Sequence, residues 1–348
     1  MQAESIDFTI PVGWEERIGH LDDEPVRRLI VFLRSTGCEW VEKTGGCTMC
    51  GFYCATAHGK EVSEEEYVAQ FKYVMDAVDL GEYPIVSIYN DGNIFNERET
   101  PLRAIERICD LIDGYKNIRK VVVESRIDYS PEERVKRVKE CLNGRLLELA
   151  FGFESADPQV MNLCINKGFS SNNFDAFFTR VNRAGVLAKP LLLVKPPFLT
   201  ESESIEDLLK TIGYLAGKGI RYIDLEVMTV ERNTVVHELW KRNLYRPPWL
   251  WSLVELLKRC RETYGDRVNL YVSPWTYSVE SLDWARNCGH CDAEVIRCIE
   301  KYNAYFDTAV FDDLDCSCRR DEWRRAMDVL DGRTIPERIR DQLEQIRT

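Results

Sequence analysis

Six short apolar runs, each followed by a longer amphipathic stretch, leave this chain few ways to bury itself. They are "RRLIVFLRSTGC" (27–38), "PIVSIYNDG" (84–92), "KVVVESR" (120–126), "LELAFGFE" (147–154), "AKPLLLVKPP" (188–197) and "YIDLEVMTV" (222–230). These runs are too continuously apolar for strands with one face in water, so they read as strands covered on both faces. Helical patterns lie between them. "SEEEYVAQFKYVMDAVDLG" (63–81) opens on Ser63 and Glu66, a capping box, and stops at Gly81. "SIEDLLKTIGYLAGKG" (204–219) behaves the same way. Six strand–helix repeats give parallel βα units, hence an α/β fold closing wholly or partly into a barrel. A chain of 348 residues has room for that barrel and an appendage. We expect a partial (β/α)6 barrel over 1–235 and a C-terminal extension over 236–348. There the pattern gives way to the aromatic-rich "LWKRNLYRPPWLWSLVELLKRCRETYG", a further strand "NLYVSPWTYS", and a charged tail from 321 that reads as a solvated helical cap.

Such folds place their chemistry at the C-terminal ends of the strands. The ends here are polar: Cys38, Asn90-Asp91-Gly92, Glu124-Ser125-Arg126, Glu154-Ser155, Lys195-Pro196-Pro197 and the turn Glu231–Thr234. The first delivers "CEWVEKTGGCTMCGFYC", four cysteines in residues 38–54. Cys38, Cys47 and Cys50 have the spacing C-x8-C-x2-C. Three thiolates on one loop can hold three irons of a four-iron cluster and leave the fourth open to a small molecule. Zinc on all four, with Cys54 as the last ligand, is the competitor. Otherwise Cys54 reads as packing, as do Cys109, Cys141, Cys164 and Cys260 on their apolar segments. A second group, Cys288, Cys291, Cys316 and Cys318, pairs C-x2-C with C-x-C. It fits a closed structural zinc site pinning the extension, with a second iron–sulfur cluster as rival and His290 or Cys298 as substitute ligands.

The cysteine loop, with the aromatic pair "FY" behind its last member, resembles the radical S-adenosylmethionine enzymes. The usual spacing there is C-x3-C-x2-C; the x8 gap is shared by some tRNA-modifying branches. "GGCTMCGFY", "INKGF", "KPPFLTESESIEDL" and "YRPPWLWSLVELL" further resemble the archaeosine-forming RaSEA subfamily, over about residues 30–320. The resemblance implies that Cys38, Cys47 and Cys50 ligate a 4Fe-4S cluster whose open iron takes S-adenosylmethionine. Asn90-Asp91-Gly92 stands at the family's glycine-rich turn, though members often read Ser-Gly-Ser. Arg126 or Lys195 would meet the methionine carboxylate and Glu154 the ribose, with Glu124 on the same strand ends; the alternative for each is a structural ion pair. The implied substrate is tRNA carrying a lysine-bearing 7-deazaguanine base, brought by a partner of the ArcS type, with an external electron donor.

Composition bears on that substrate. A net charge of −12 opposes unaided nucleic-acid binding, so a partner would supply most phosphate contacts. "KRNLYRPPWLWS" (241–252) is either a local RNA-facing patch or core. Charge leaves a second hypothesis open, a radical enzyme acting on a free small molecule. A third is a non-enzymatic zinc or iron–sulfur module. The opening "MQAESIDFTIPVGWEERIG" lacks a basic start followed by an apolar stretch, and no run nears about 18 apolar residues. We therefore expect a cytoplasmic protein without a membrane span, its cysteines reduced rather than disulfide-bonded.

Overall fold

The computed structural model describes residues 6–274 and 279–347. All six expected runs are strands; five of these strands stop before the run does, and 147–154 is strand to its last residue. In chain order the strands are β1 (Gly13–Leu21), β2 (Glu24–Phe32), β3 (Ile85–Tyr89), β4 (Lys120–Glu124), β5 (Leu146–Glu154), β6 (Leu187–Val194), β7 (Tyr222–Val227), β8 (Val230–Glu231), β9 (Asn269–Val272) and β10 (Ser281–Asp283). One eight-stranded sheet has the order β1-β2-β3-β4-β5-β6-β7-β9, and β8 pairs with β10. Strands β2 to β5 run parallel, as do β6, β7 and β9. The expected "NLYVSPWTYS" strand holds over Asn269–Val272, while residues 275–278 lie outside the described residues.

Strand β1 was not among the expected elements. It is antiparallel to β2, and its alternating burial is that of a strand with one face in water. The two-residue turn between them, Asp22-Asp23, has φ of 51° and 68°. Positive φ at both central positions is what a tight hairpin requires, and aspartate tolerates it.

The chain divides into two compact units. The first takes residues 1–46, 52–152 and 172–189. Strands β3 and β4 are buried almost throughout. Inside this unit Arg28 donates to Ser87 Oγ at 2.7 Å and to Tyr89 Oη at 2.6 Å. Glu148 lies 3.3 Å from Lys120 and 3.9 Å from Lys189. Burial works to raise the Glu148 pKa, but Lys120, Lys189 and Arg28 outweigh it and the carboxyl sits below its ordinary range. The helix Glu64–Ala77 has the expected capping box between Ser63 and Glu66, and ends at Val78 rather than Gly81.

The second unit takes residues 47–51, 153–171 and 190–348. Its helix Glu201–Gly217 starts about a turn before the expected Ser204, because Thr200 and Glu203 form the capping box. The tail corrects the solvated-cap reading. In the helix Ile335–Arg347, Ile335, Ile339, Leu343 and Ile346 recur at helical spacing and pack on a core containing Val160, Cys164, Leu239 and Tyr245. Arg338 is buried and grips Glu203 with two nitrogens, at 2.6 and 2.9 Å. No helix among the described residues is long and apolar enough to cross a membrane.

Candidate functional site

In the first unit, β2 stops at Phe32 and the chain leaves the sheet before reaching Cys38. Cys38 is the N-cap of the short helix Glu39–Thr44, its carbonyl accepting from the Val41 amide at 3.0 Å. That helix ends because Gly45 and Gly46 both take φ of 85°, a left-handed conformation glycine adopts without strain. Asn93 is buried, and its Nδ2 lies 3.8 Å from Cys38 Sγ. The same amide reaches both Glu99 carboxylate oxygens at 2.7 and 2.8 Å, while Asn93 Oδ1 accepts the Arg126 amide at 2.8 Å. Glu99 also accepts from the Glu39 amide at 2.9 Å and from Asn96 at 2.8 Å. Burial raises its pKa to about 7 against these hydrogen bonds.

The expected turn follows β3. Asn90 is buried and bonds Thr100 Oγ1 at 2.8 Å, and its Oδ1 accepts the Gly92 amide at 3.2 Å. A Cβ at Gly92 would fall 2.6 Å from Glu99 Oε2 and 3.1 Å from Ser35 Oγ, and Asp91 has φ of 51°. Glu124 closes β4, and its carbonyl accepts the Ile94 amide. Arg126 holds Asp128 through Nε at 3.0 Å and Nη2 at 2.9 Å, and its guanidinium lies 4.4 Å from the Trp40 ring. Buried among these residues, the Ser35 and Ser125 hydroxyls have no hydrogen-bond partner among the described residues. Polar atoms so placed suit a small polar ligand.

In the second unit, residues 47–51 are stitched to chain far away in sequence. The Thr48 amide donates to the Ile165 carbonyl at 3.0 Å and Thr48 Oγ1 to the Cys164 carbonyl at 2.6 Å. The Thr48 carbonyl accepts from Val235, also at 3.0 Å, and Cys47 and Met49 pack on the surrounding core. Glu154 ends β5 with φ of 63° and is paired to Lys167 of "INKGF" at 2.8 Å, both buried. Lys195, φ 62°, lies 2.6 Å from Glu201 in an ion pair with both side chains nearly withdrawn from water. Its carbonyl accepts from Tyr245 Oη. This is the structural role weighed for Lys195 in the sequence.

The C-terminal cysteines form a candidate metal centre. The ligand atoms of Cys288, Cys291, Cys316 and Cys318 all lie within 4.8 Å of one another. Sulfur separations are 4.0 Å for Cys288–Cys291, 3.8 Å for Cys288–Cys316 and 3.7 Å for Cys291–Cys318. Trp251 Nε1 donates to Cys318 Sγ at 3.2 Å and Asn287 Nδ2 to Cys291 Sγ at 3.3 Å. Four thiols offering these distances, with N–H donors behind two of them, can hold a metal ion. His290 and Cys298 are not part of the group.

Of the two readings of 241–252, core holds for the aromatics: Tyr245, Trp249 and Trp251 are buried. Arg246 lies 4.0 Å from the Trp249 ring and donates to backbone carbonyls, while Lys241 and Arg242 face Glu238. Cys54 is exposed rather than packed, and Cys141 is only half-buried. Cys109, Cys164 and Cys260 are packing residues, their thiols pushed up to about 12 by burial. Among the described residues no cysteine is disulfide-bonded. Sequence reasoning missed Asn93 and Glu99. The signal was present as "NDGNIFNERET", a stretch dense in Asn and Glu directly after a buried strand.

No family model matches the chain. It is 31% identical over 307 residues to archaeosine synthase subunit beta of Methanosarcina acetivorans, covering 88% of this chain and 86% of that one. It is 27% identical over 305 residues to the protein of the same name from Thermococcus kodakarensis, covering 86% and 91%. Among solved structures, HydG, a maturase of the [FeFe]-hydrogenase, superposes with a TM-score of 0.50 at 12% identity, covering 92% of this chain and 81% of that one. The fold is thus the expected α/β partial barrel, shared with HydG, with a C-terminal cysteine cluster able to bind metal. Similarity of this extent to a named relative makes the chain a member of the archaeosine synthase beta-subunit family.

Proposed function

We propose that this protein is a radical S-adenosylmethionine enzyme of archaeosine formation. The observation that carries the reading is the 31% identity to an archaeosine synthase beta subunit across 88% of the chain. Cys38, Cys47 and Cys50 would hold the 4Fe-4S cluster. Their chemistry suits it: all three are half-buried cysteines outside any disulfide, on a loop with two consecutive glycines. When bound and reduced, the cluster and S-adenosylmethionine supply methionine and a 5′-deoxyadenosyl radical.

The chain's own residues would orient the cofactor and shield it. The turn Asn90-Asp91-Gly92 offers backbone carbonyls to the methionine ammonium, and the buried Ser35 and Ser125 hydroxyls add polar atoms nearby. Arg126 is the better cation for the methionine carboxylate, because its partner Asp128 is about one-third exposed and exchanges more easily than Glu201 does from Lys195. Glu154, held by Lys167, is the acid for the ribose diol.

The substrate would be a lysine-bearing 7-deazaguanine in tRNA. With the cluster and S-adenosylmethionine bound, a hydrogen would be abstracted from the lysine side chain. Scission of the neighbouring C–N bond would release the lysine skeleton as an alkene and leave a nitrogen radical. One electron from the external donor and one proton would complete that radical to the formamidine of archaeosine. The name "subunit beta" borne by the relatives supports a partner subunit, and the net charge of −12 supports that partner carrying most of the RNA contacts. An external donor would reduce the cluster.

Zinc is the metal we assign to the second site. A tetrahedral ion with Zn–S bonds of about 2.3 Å needs sulfurs about 3.8 Å apart; three of the sulfur pairs lie at 3.7 to 4.0 Å and all lie within 4.8 Å. A four-iron cluster sets several atoms between its thiolates and would need them farther apart.

The decisive test is anaerobic incubation with lysine-bearing tRNA, reductant and S-adenosylmethionine, with and without the partner subunit. Conversion of the base to archaeosine is expected. Turnover of S-adenosylmethionine with no change in the base in either case would overturn the tRNA reading and favour a free small-molecule substrate.

A further inference from the structure

Residues 47–51 carry two of the three proposed cluster ligands, and one acid grips the residue directly after Cys50. Glu231, in the two-residue strand β8, is buried with 5% of its surface exposed. Its Oε2 accepts the Gly51 amide at 2.5 Å, and its Oε1 accepts from Thr229 Oγ1 at 3.2 Å. The Glu231 carbonyl in turn accepts from Thr234 Oγ1 at 2.8 Å, which fixes the acid's own backbone. There is no slack in the contact: a Cβ at Gly51 would fall 2.7 Å from Glu231 Cβ and 2.8 Å from Oε2. At the other end of the loop Thr48 is fixed by Ile165, Cys164 and Val235. Cys50 therefore hangs between two anchored residues, and its own amide donates to the Cys47 carbonyl at 3.2 Å.

Gly51 is buried, so its amide needs a protein acceptor in place of water. A neutral carbonyl would serve; burying a carboxylate instead is expensive unless the hydrogen bond secures something. What lies next to this bond is a cysteine with a proposed iron to hold. We infer that Glu231 is a positioning residue for the cluster: by clamping the Gly51 amide it holds Cys50 where an iron can be ligated. This rests on the iron–sulfur reading above for what Cys50 binds, whereas the clamp itself belongs to the protein without the cluster.

Glu231→Ala removes the acceptor, Glu231→Gln keeps one acceptor oxygen, and Gly51→Ala pushes the loop off an intact carboxylate. Each is purified anaerobically beside wild type. Chelator-driven loss of the iron–sulfur chromophore is timed, and hydrogen exchange of the peptide spanning 48–53 is followed on the apoproteins. Loss of a supporting residue commonly costs about 10- to 100-fold in metal affinity. We expect Glu231→Ala and Gly51→Ala to lose cluster about 10-fold faster or more, with faster exchange over 48–53, and Glu231→Gln to restore most of both. Unchanged melting temperatures would exclude general unfolding, and Gly51→Ala serves if Glu231→Ala does not fold. A wild-type cluster that survives equally long in both disruptive variants, with equal exchange, overturns the inference. A wild type that takes up no four-iron cluster instead overturns the iron–sulfur reading, and exchange alone then decides whether the clamp exists.

Discussion

Glu99 shows how one buried side chain can set a protein's response to pH. Its carboxyl has no ion-pair partner among the groups that bond it; it is held by the Glu39 amide and the amides of Asn93 and Asn96. Burial lifts its pKa from 4.5 to about 7. Between those values the native state keeps a proton that the unfolded chain has already lost, so stability falls as pH rises through the window and levels off above 7. The gap corresponds to about 3 kcal/mol. Glu99→Gln cannot titrate, so its urea midpoint should change less between pH 5 and pH 8 than that of wild type. An identical pH dependence in the two proteins would show that Glu99 does not titrate in this range. Asn93 belongs to the same network, with one amide shared between Glu99 and the Cys38 sulfur. Neither residue sits in a motif, and only the folded chain shows why both are there.

Among the elements, the terminal helix Ile335–Arg347 is the one whose role the sequence concealed. Its composition is charged, yet four isoleucine and leucine side chains seal a core and Arg338 is 97% withdrawn from water, its side chain 3% exposed. Removing one partner of a buried ion pair typically costs about 3 to 5 kcal/mol. Glu203 keeps 37% exposure, so water can take over part of the Arg338 role. Arg338→Ala should therefore lower unfolding free energy by about 2 to 3 kcal/mol, near or below that range. Chemical denaturation measures this, and a loss under about 0.5 kcal/mol would return the helix to the class of solvated surface. The other elements were easier to anticipate. The parallel strands announced themselves as unbroken apolar runs and the helix at Glu64 by its capping box. Strand β1 was missed because its middle, Glu15-Glu16-Arg17, is charged, and its hairpin turn is made by two aspartates rather than by glycine.

For the molecule as a whole, the two proposed metal sites imply two separable losses. Cys38→Ala should strip iron while leaving about one zinc per chain, and Cys316→Ala should strip zinc while leaving iron, both read by elemental analysis of anaerobically prepared protein. Loss of both metals from either variant would mean that one site cannot form without the other. Sequence alone determined the fold class, since six doubly covered strands alternating with amphipathic helices have few packings other than a barrel built from βα units. It also suggested the two proposed donor sets, because thiols at these spacings are legible without coordinates, and the structure gathers Cys288, Cys291, Cys316 and Cys318. Tertiary structure decided what spacing cannot express. It withdrew Lys195 into a pair with Glu201, chose core over an RNA-facing patch for the aromatics of "KRNLYRPPWLWS", and left Cys54 exposed. It brought Glu231 against Gly51, 180 residues apart in the chain. The reason is physical. Periodicity and ligand spacing are local properties carried by neighbouring residues, whereas the partner of a buried charge or amide is chosen by which distant segments the core packs together.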